Sequence, residues 1–382
     1  MTVLVANASG GVALAVIRSL GKKGIKVTGA APRNAYPMYS KYCKDKIIYG
    51  TYNNRRDITG RLLQIVKENN YDVFLPVVDE KTLILLSRNK EKFEKYTKLP
   101  IADPEILETA SDKAKVMEIA EELGIPCPKT YPLTKISDIE KLKNKIEYPV
   151  VIKPRHSRGS RGVVYVNSKY ELVRKFRKVY SSYKKIILQE YIPHGGAYGF
   201  ETLFDAKSKP KAIFVHKRLR EYPIHGGPST LRESVKNTDA IRLGLKILKK
   251  INWYGVCMVE FRKDPRDNKL KVMEINPRFW GSLPLSIAAG VDFPYLLYKM
   301  AINEKINSVF EYRAGIKCRW LLFGDIKHFI EVMRKGNSNQ KQKFKTIIEF
   351  FKFHDKDLYY DIISLDDPKP AIYKVVMKLL RV

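Results

Sequence analysis

Two acidic side chains face each other across a predicted β-hairpin. Glu260 lies in the apolar run 256–261, and Glu274 lies in a second run that ends at Asn276. The turn between the runs places Glu260 opposite or nearly opposite Glu274, and side-chain alternation puts Asn276 on the same face. Two partly buried carboxylates repel each other, and a bound cation removes that penalty. Three oxygen donors that leave room for water and phosphate favour magnesium over a transition metal. Two solvated glutamates on an exposed hairpin are the alternative, which the apolar neighbours disfavour.

A basic segment rich in glycine and serine follows another predicted strand. The strand, 148–154, ends in Lys153-Pro154, and three arginines lie in the next eight residues. Backbone N–H groups of such a loop can wrap a polyphosphate while the cations neutralise it. The segment is not a Walker loop, because the Gly-Lys-Ser/Thr ending is missing and a strand follows. Basic turns of this kind also occur on ordinary surfaces. The small residues that form the candidate loop are Ser157, Gly159, Ser160 and Gly162.

Arg278 comes directly after the acidic hairpin. A guanidinium beside the two carboxylates is placed to meet a transferring phosphoryl group. An ordinary surface arginine is the alternative.

The elements before these motifs predict a parallel sheet. Apolar strands alternate with helical spacing, which is typical of right-handed crossovers in a doubly wound domain. The predicted strands are 2–7, 25–30 and 72–78, and the predicted helices are 12–20 and 58–68. Gly10 and Gly11 lack the full dinucleotide-binding spacing, so they predict either a tight turn or an anion resting on a helix start. Asp79 and Glu80 follow the third strand, where either a helix cap or a substrate contact fits.

Length and composition limit the remaining choices. The 382 residues predict two or three domains of about 100–200 residues each. The hydrophobic content of 45% excludes a disordered chain. No apolar run approaches the ~20 residues of a membrane span, and the start lacks a secretory pattern, so we expect a soluble cytoplasmic protein. The four cysteines are far apart and predict buried reduced thiols rather than a zinc site.

The charge admits two interpretations. There are 71 Lys and Arg against 40 Asp and Glu, a formal net charge of +31. Such a surface attracts nucleotides, nucleic acids or acidic lipids. The lysines are spread almost everywhere, which disfavours nucleic acid as the partner, although a basic nucleic-acid-binding protein stays an alternative.

The order of the motifs resembles the ATP-grasp superfamily, and within it the carbamoyl-phosphate-synthase-like carboxylate–amine ligases. The resemblance covers roughly residues 1–300. Its motifs are Ser111-Asp112-Lys113, Ile152-Lys153-Pro154, the glycine/serine loop, Gln189-Glu190-Tyr191-Ile192, Glu260, and Glu274-Ile275-Asn276-Pro277-Arg278. The implied fold is mixed α/β and α+β, with a doubly wound domain followed by a two-subdomain ATP-grasp fold. The predicted parts are 1–108, a phosphate-loop subdomain 109–186, a metal-binding subdomain 187–305 and a C-terminal extension 306–382.

The resemblance also implies roles for individual residues. Lys113 and Lys153 would bind nucleotide phosphates, under a loop that closes from Ser157 to Gly162. Glu260, Glu274 and Asn276 would hold one or two Mg²⁺ ions, with Arg278 and Lys153 acting in phosphoryl transfer. Gln189, Glu190, Tyr191 and Ile192 would form the hinge at the adenine edge, and His225 would lie near the nucleotide. Many relatives carry a ribose-binding carboxylate where this chain has Ala197. Glu201 lies at a nearby strand position, so whether a carboxylate of this chain contacts the ribose hydroxyls stays open.

The implied reaction is ATP-dependent joining of a carboxylate and an amine through an acylphosphate, with release of ADP and phosphate. The expected substrates are small molecules, with an amino acid or a peptide-like acceptor among the candidates. Arg218 and Arg220 either hold the substrate carboxylate or are exposed basic residues. A nucleotide-binding regulator without ligase activity is a further alternative. The basic amphipathic helix at 371–382 either packs on the body of the protein or rests on an acidic membrane surface.

Overall fold

The computed structural model of the protein describes residues 1–52, 54–157, 159–224, 226–334 and 340–380. The N-terminal region alternates short strands with helices, as predicted. Its strands are β1 (Thr2–Ala6), β2 (Lys26–Ala31), β3 (Cys43–Ile48) and β4 (Val73–Pro76). Its helices are α1 (Gly11–Lys22), α2 (Arg55–Glu68), α3 (Glu80–Arg88), α4 (Lys90–Glu94), α5 (Pro104–Ser111) and α6 (Lys113–Glu122), with a 3-10 turn at Tyr36–Tyr39.

The strands form a parallel sheet of order β3-β2-β1-β4. The central strand β1 is apolar on both faces, and Val3, Leu4, Val5 and Ala6 are fully buried. A strand covered on both faces reads as a continuous apolar run, which is why the sequence predicted it. The edge strand β3 was not predicted, because five of its six residues are exposed or partly exposed and charged residues interrupt its pattern.

A second sheet forms a small lobe. Its strands are β5 (Thr130–Leu133), β6 (Val150–Pro154), β7 (Val164–Val166) and β8 (Ile186–Glu190), in the order β5-β8-β6-β7. Helices α7 (Ile136–Leu142) and α8 (Lys169–Ser182) pack on it around Phe176 and Leu188. The predicted boundary between the phosphate-loop and metal-binding subdomains, at 186/187, differs from this arrangement. Strand β8, which crosses that boundary, pairs with β6 inside the small sheet.

The other end of the predicted phosphate-loop subdomain also differs. Helix α6 packs chiefly against β13 of the large sheet and less extensively against β5 of the small lobe. Val116, Met117 and Ala120 share one apolar core with Phe74 of β4. Residues 104–122 therefore belong to the main body of the protein.

The large sheet contains the predicted acidic hairpin. Its strands are β9 (Ala197–Phe204), β10 (Pro210–Glu221), β11 (Ser229–Ser234), β12 (Gly255–Lys263), β13 (Leu270–Asn276), β14 (Lys317–Arg319) and β15 (Leu358–Tyr360), in the order β13-β12-β9-β10-β11-β14-β15. Helices α9 (Thr238–Lys250), α10 (Leu283–Ala288) and α11 (Phe293–Ala301) cover it. Gly244 in α9 permits close packing, since a Cβ atom there would lie 2.2 Å from the ring of Phe200.

The C-terminal region is built into the same body. It contributes β14 and β15 to the large sheet, together with helices α12 (Ile326–Arg334), α13 (Gln340–Phe350) and α14 (Lys369–Leu379). Arg18 of α1 donates to Asp367 at 2.9 Å, and the rings of Tyr39 and Tyr373 stack at 3.9 Å. Helix α14 therefore packs on the N-terminal domain, while Leu379 on its outer side is 77% exposed. Among the described residues no helix has the length and apolarity needed to cross a membrane.

Candidate functional site

A cleft of about 410 Å³ lies between the small and the large sheet, and the acidic hairpin lines it. Glu260 pairs directly with Glu274 across β12 and β13, which confirms the predicted register. The amide nitrogen of Asn276 donates to Glu260 Oε1 at 3.1 Å and to Glu274 Oε1 at 3.2 Å. The structure thus brings the three predicted metal-binding residues together at one point.

Two cations neutralise these carboxylates. Lys113 Nζ lies 2.9 Å from Glu274 Oε2, and Arg218 Nη2 lies 2.6 Å from Glu260 Oε2. Burial acts to raise the pKa of Glu274, but Lys113 and Lys153 lower it well below its usual range. Glu274 is therefore ionised at neutral pH and available as a ligand for a cation.

Lys153 is the second lysine of the cleft and has a different environment. It ends β6 and is only 7% exposed. No ion pair or hydrogen bond joins its ammonium group to any residue that the structure describes. Burial, and then repulsion by Lys113, lower the pKa of Lys153 to about 7. A buried cation without a close counter-ion is stabilised when an anion binds.

The glycine/serine loop lies over the same side of the cleft. Its carbonyl at Ser157 accepts a hydrogen bond from Lys113 Nζ at 2.7 Å, and Ser160 Oγ donates to Gly226 O at 2.7 Å. Gly159 and Gly162 have φ values of 58° and 75°, which glycine tolerates best. Two loops from different sheets therefore meet beside Lys113. The candidate His225, next to Gly226, lies outside the described residues.

The predicted hinge also lines the cleft, through Gln189, Glu190, Tyr191 and Ile192. Several of its polar groups are already bonded. Glu190 accepts from Arg266 at 2.5 Å, and the Ile192 carbonyl accepts from Arg262 Nη1 at 3.3 Å. These contacts fix the segment that connects β8 to the large sheet.

Arg278 links the hairpin to the N-terminal domain. Its Nη2 donates to Asn276 Oδ1 at 3.1 Å, and its Nε donates to Glu80 Oε1 at 2.6 Å. For Glu80 the sequence left a helix cap and a substrate contact as alternatives. In the structure its carboxylate holds Arg278.

Three further candidates are not among the residues that line the cleft. Asp79 caps α3, because its carboxylate accepts a hydrogen bond from the backbone N–H of Thr82. This is the helix-cap alternative that the sequence analysis gave for Asp79. Arg220 pairs with the buried Asp325 at 3.2 Å. Glu201 is fully buried and accepts from Ser282 Oγ at 2.9 Å. None of the three lines the described part of the cleft, because each is held by neighbours inside the protein.

His216 was not singled out from the sequence, although it lines the cleft. Its Nδ1 lies 2.7 Å from Glu201 Oε1. Glu201, a candidate nucleotide-binding residue, thus positions the imidazole of His216. The ring lies over Gly199, where a Cβ atom would come within 2.3 Å of His216 Cε1. Only glycine fits at position 199. The sequence could not predict this contact, because no local pattern shows that Gly199 and His216 pair across adjacent strands.

The comparisons with known proteins agree with this geometry. A family model described as "Carbamoyl-phosphate synthase L chain, ATP binding domain" matches residues 112–309. The chain belongs to this family. The resemblance predicted from the motifs is therefore confirmed, and the match to this ATP-binding domain begins just before Lys113 and extends beyond the acidic hairpin.

A relative within the carbamoyl phosphate synthases shows how far the similarity reaches. The large chain of this enzyme from Saccharolobus solfataricus is 26% identical over 223 residues, which are 56% of this chain. The same residues are 21% of that protein, so this chain spans about a fifth of the curated relatives it matches.

Solved structures confirm the ATP-grasp fold. The biotin carboxylase domain of 2-oxoglutarate carboxylase from Hydrogenobacter thermophilus matches with a TM-score of 0.69 at 20% identity, over 83% of this chain and 73% of that one. An L-amino acid ligase from Bacillus licheniformis matches with a TM-score of 0.66 at 18% identity, over 83% of this chain and 78% of that one.

Proposed function

We propose that this protein is an ATP- and Mg²⁺-dependent ligase that joins a carboxylate to an amine. The observation that carries the proposal is the pairing of Glu260 with Glu274 in a cleft that also holds two buried lysines. Carboxylates for a divalent cation and cations for a polyphosphate are the two requirements of phosphoryl transfer from ATP. Family membership supports the same conclusion.

The residues that would hold the nucleotide are those that line the cleft from the hinge to the glycine/serine loop. Lys153 and Lys113 would neutralise phosphate oxygens. The loop at 157–162 would close over them, and the hinge at 189–192 would contact the base. Lys113 is bonded to Glu274, and a bound phosphate would compete for the same ammonium group.

The donor set of the hairpin fits magnesium. Two carboxylates already converge within 3.2 Å of one amide group, and carboxylate and amide oxygens are the hard ligands that Mg²⁺ prefers. The low pKa of Glu274 keeps this ligand ionised. The bound ion would supply charge neutralisation on the transferring phosphoryl group.

The protein groups position the two chemical steps. In the first, a substrate carboxylate oxygen attacks the γ-phosphorus, the bond to the β,γ-bridging oxygen breaks, and ADP leaves. In the second, the amine attacks the acyl carbon, the bond to the phosphate oxygen breaks, and the amine loses a proton. Arg278, held by Glu80, is oriented beside Asn276 for the developing charge on phosphate. No covalent enzyme intermediate is required.

Small carboxylates and amines are the proposed substrate classes. The named relatives support this level of description, since one is a carbamoyl phosphate synthase and another is an L-amino acid ligase. The cleft of about 410 Å³ must hold both the nucleotide and the substrate, which favours a small acceptor.

The test is release of ADP and phosphate from ATP in the presence of Mg²⁺, with pools of amino acids and small carboxylates added in turn. We expect one pool to stimulate release and Glu274→Gln to abolish it while the variant stays folded. Glu311→Gln is the matched control, because Glu311 is 93% exposed and pairs with the surface residue Lys236. Turnover in Glu274→Gln equal to that of the wild type would refute the metal assignment.

A further inference from the structure

The end of the cleft away from the hinge is lined by parts of the chain that are distant in sequence. Tyr36 comes from the 3-10 turn of the N-terminal domain, and Trp280 follows the acidic hairpin. Trp320, Ile362 and Lys374 come from the C-terminal region. This end, called the aromatic end below, is therefore completed by the C-terminal helix α14.

Lys374 is a half-buried cation in the aromatic end. Its Nζ lies 4.7 Å from the centre of the Tyr36 ring and 5.8 Å from that of Trp320. No carboxylate among the described residues forms an ion pair with it. Burial lowers the pKa of Lys374 to about 8, although Asp361 acts in the opposite direction. Asp361, which also lines this end, is neutralised by Arg232, and its Oδ1 accepts hydrogen bonds from Arg232 and from Cys318 Sγ.

Two other donors at this end lack partners. Trp280 is fully buried, and its indole N–H finds no acceptor in the described part of the chain. Helix α1 begins at Gly11 beside the same space, and its cap residue Gly10 has no side chain to bond the free N–H groups. The ammonium group and the free N–H groups of the helix N-terminus are complementary to an anion, and residues that line the space beside them are aromatic.

We propose that the aromatic end binds the substrate through an anionic group, held by Lys374, on a flat apolar body. The assignment of this ligand as a substrate rests on the proposed ligase function. The chemical class is an aromatic or similarly apolar carboxylate. Lys374 is then a specificity-determining residue that the C-terminal region supplies. The competing role for Lys374 is only to pack α14 onto the N-terminal domain through its ring contacts.

Intrinsic fluorescence can test this proposal without ATP. The protein has three tryptophans, and two of them, Trp280 and Trp320, line the aromatic end. The probes are benzoate, phenylacetate and 3-phenylpropionate, each paired with its neutral amide, and acetate. We expect saturable quenching by at least one aromatic carboxylate, about tenfold tighter than by its amide or by acetate. Trp320→Phe should remove much of the signal.

Variants of Lys374 separate ligand binding from packing. Lys374→Met keeps a flexible apolar side chain against the rings and should lose the preference for the acid over the amide. Lys374→Arg should keep that preference. Equal binding of acid and amide by the wild type, absence of saturable quenching by every probe, or an unchanged preference in Lys374→Met would each overturn the proposal.

A matched control keeps this result separate from the ligase proposal. Glu274→Gln alters the proposed metal site and should leave the binding of the aromatic acid unchanged. Probe binding in a protein that does not turn over ATP would support the aromatic end and refute the ligase. ATP turnover without preferential binding of any aromatic acid would support the ligase and refute the proposal for the aromatic end.

Discussion

Nucleotide affinity should fall steeply above neutral pH. At neutral pH Lys153 is only about half-charged in the free protein, and it loses the remaining charge as the pH rises. The pKa of this buried group is lowered to about 7 by burial and by Lys113. A bound phosphate favours the ammonium form and raises the pKa again. Nucleotide binding above pH 7 must therefore take up a proton, so affinity decreases as the pH rises through and above the free-protein pKa.

The size of the effect follows from the protonated fraction. With a pKa of about 7 that fraction is about one half at pH 7 and about one hundredth at pH 9. If the bound group returns toward the ordinary lysine value, affinity falls about 50-fold between these pH values, or about 2.3 kcal/mol. Proton uptake on binding should approach about one proton per nucleotide at pH 9.

The assay is calorimetric titration of ADP at pH 7, 8 and 9 in two buffers that differ in ionisation enthalpy. ADP is suitable because its terminal phosphate, with a second pKa of about 6, stays ionised over this range. Lys153→Arg should bind with nearly constant affinity, since a guanidinium does not titrate here. Lys374→Met should keep the wild-type slope, which separates Lys153 from the other lysine of lowered pKa. A flat wild-type profile, or an equal slope in Lys153→Arg, would refute the reasoning.

Three further predictions concern packing and positioning. Gly199→Ala should lower the free energy of unfolding by about 1–3 kcal/mol, because the new Cβ would lie 2.3 Å from His216 Cε1, as measured by urea unfolding. Asp325→Asn should lower it by about 3–5 kcal/mol, because the carboxylate is fully buried between two arginines that would lose their counter-ion. Glu80→Gln should reduce kcat about tenfold with little change in the KM for ATP, because Glu80 orients Arg278 without lining the cleft.

Each of these predictions has its own control. Gly60→Ala is the control for the first, since no atom lies within 4 Å of a Cβ there. For the second, Glu311→Gln removes an exposed charge and should change stability by less than about 1 kcal/mol. For the third, loss of folding in Glu80→Gln, or an increase in KM without a change in kcat, would contradict an orienting role.

The acidic hairpin shows what local pattern can predict. Strand side chains alternate with a period of two, so one turn position fixed that Glu260 lies opposite Glu274. Glu201 is different, because its placement came from the resemblance, which left the ribose contact open. Its strand was predicted, but the neighbouring Gly199 and His216 create an internal position that accepts the carboxylate, and no local pattern reports the space above a glycine.

Local sequence patterns also could not predict the boundaries between domains and subdomains. Strand β8 was expected in the metal-binding subdomain and lies in the small sheet. The C-terminal region was expected as an extension and supplies two strands to the large sheet. Which strands pair depends on backbone hydrogen bonds between distant segments, and every strand offers the same groups for that pairing.

By itself the sequence determined the alternating elements of the N-terminal domain, the facing glutamates and the order of the phosphate-binding motifs. These depend on periodicity and spacing over a few residues, which the backbone geometry of strands and helices dictates. Only the tertiary structure decided that Glu80 orients Arg278 and that Glu201 holds His216. It also decided that Tyr36, Trp280, Trp320 and Lys374 meet at one end of the cleft. Such contacts join residues on different strands and helices, from 15 positions apart for Glu201 and His216 to 198 for Glu80 and Arg278. Close packing of whole sheets and helices, rather than any local preference, brings their side chains together.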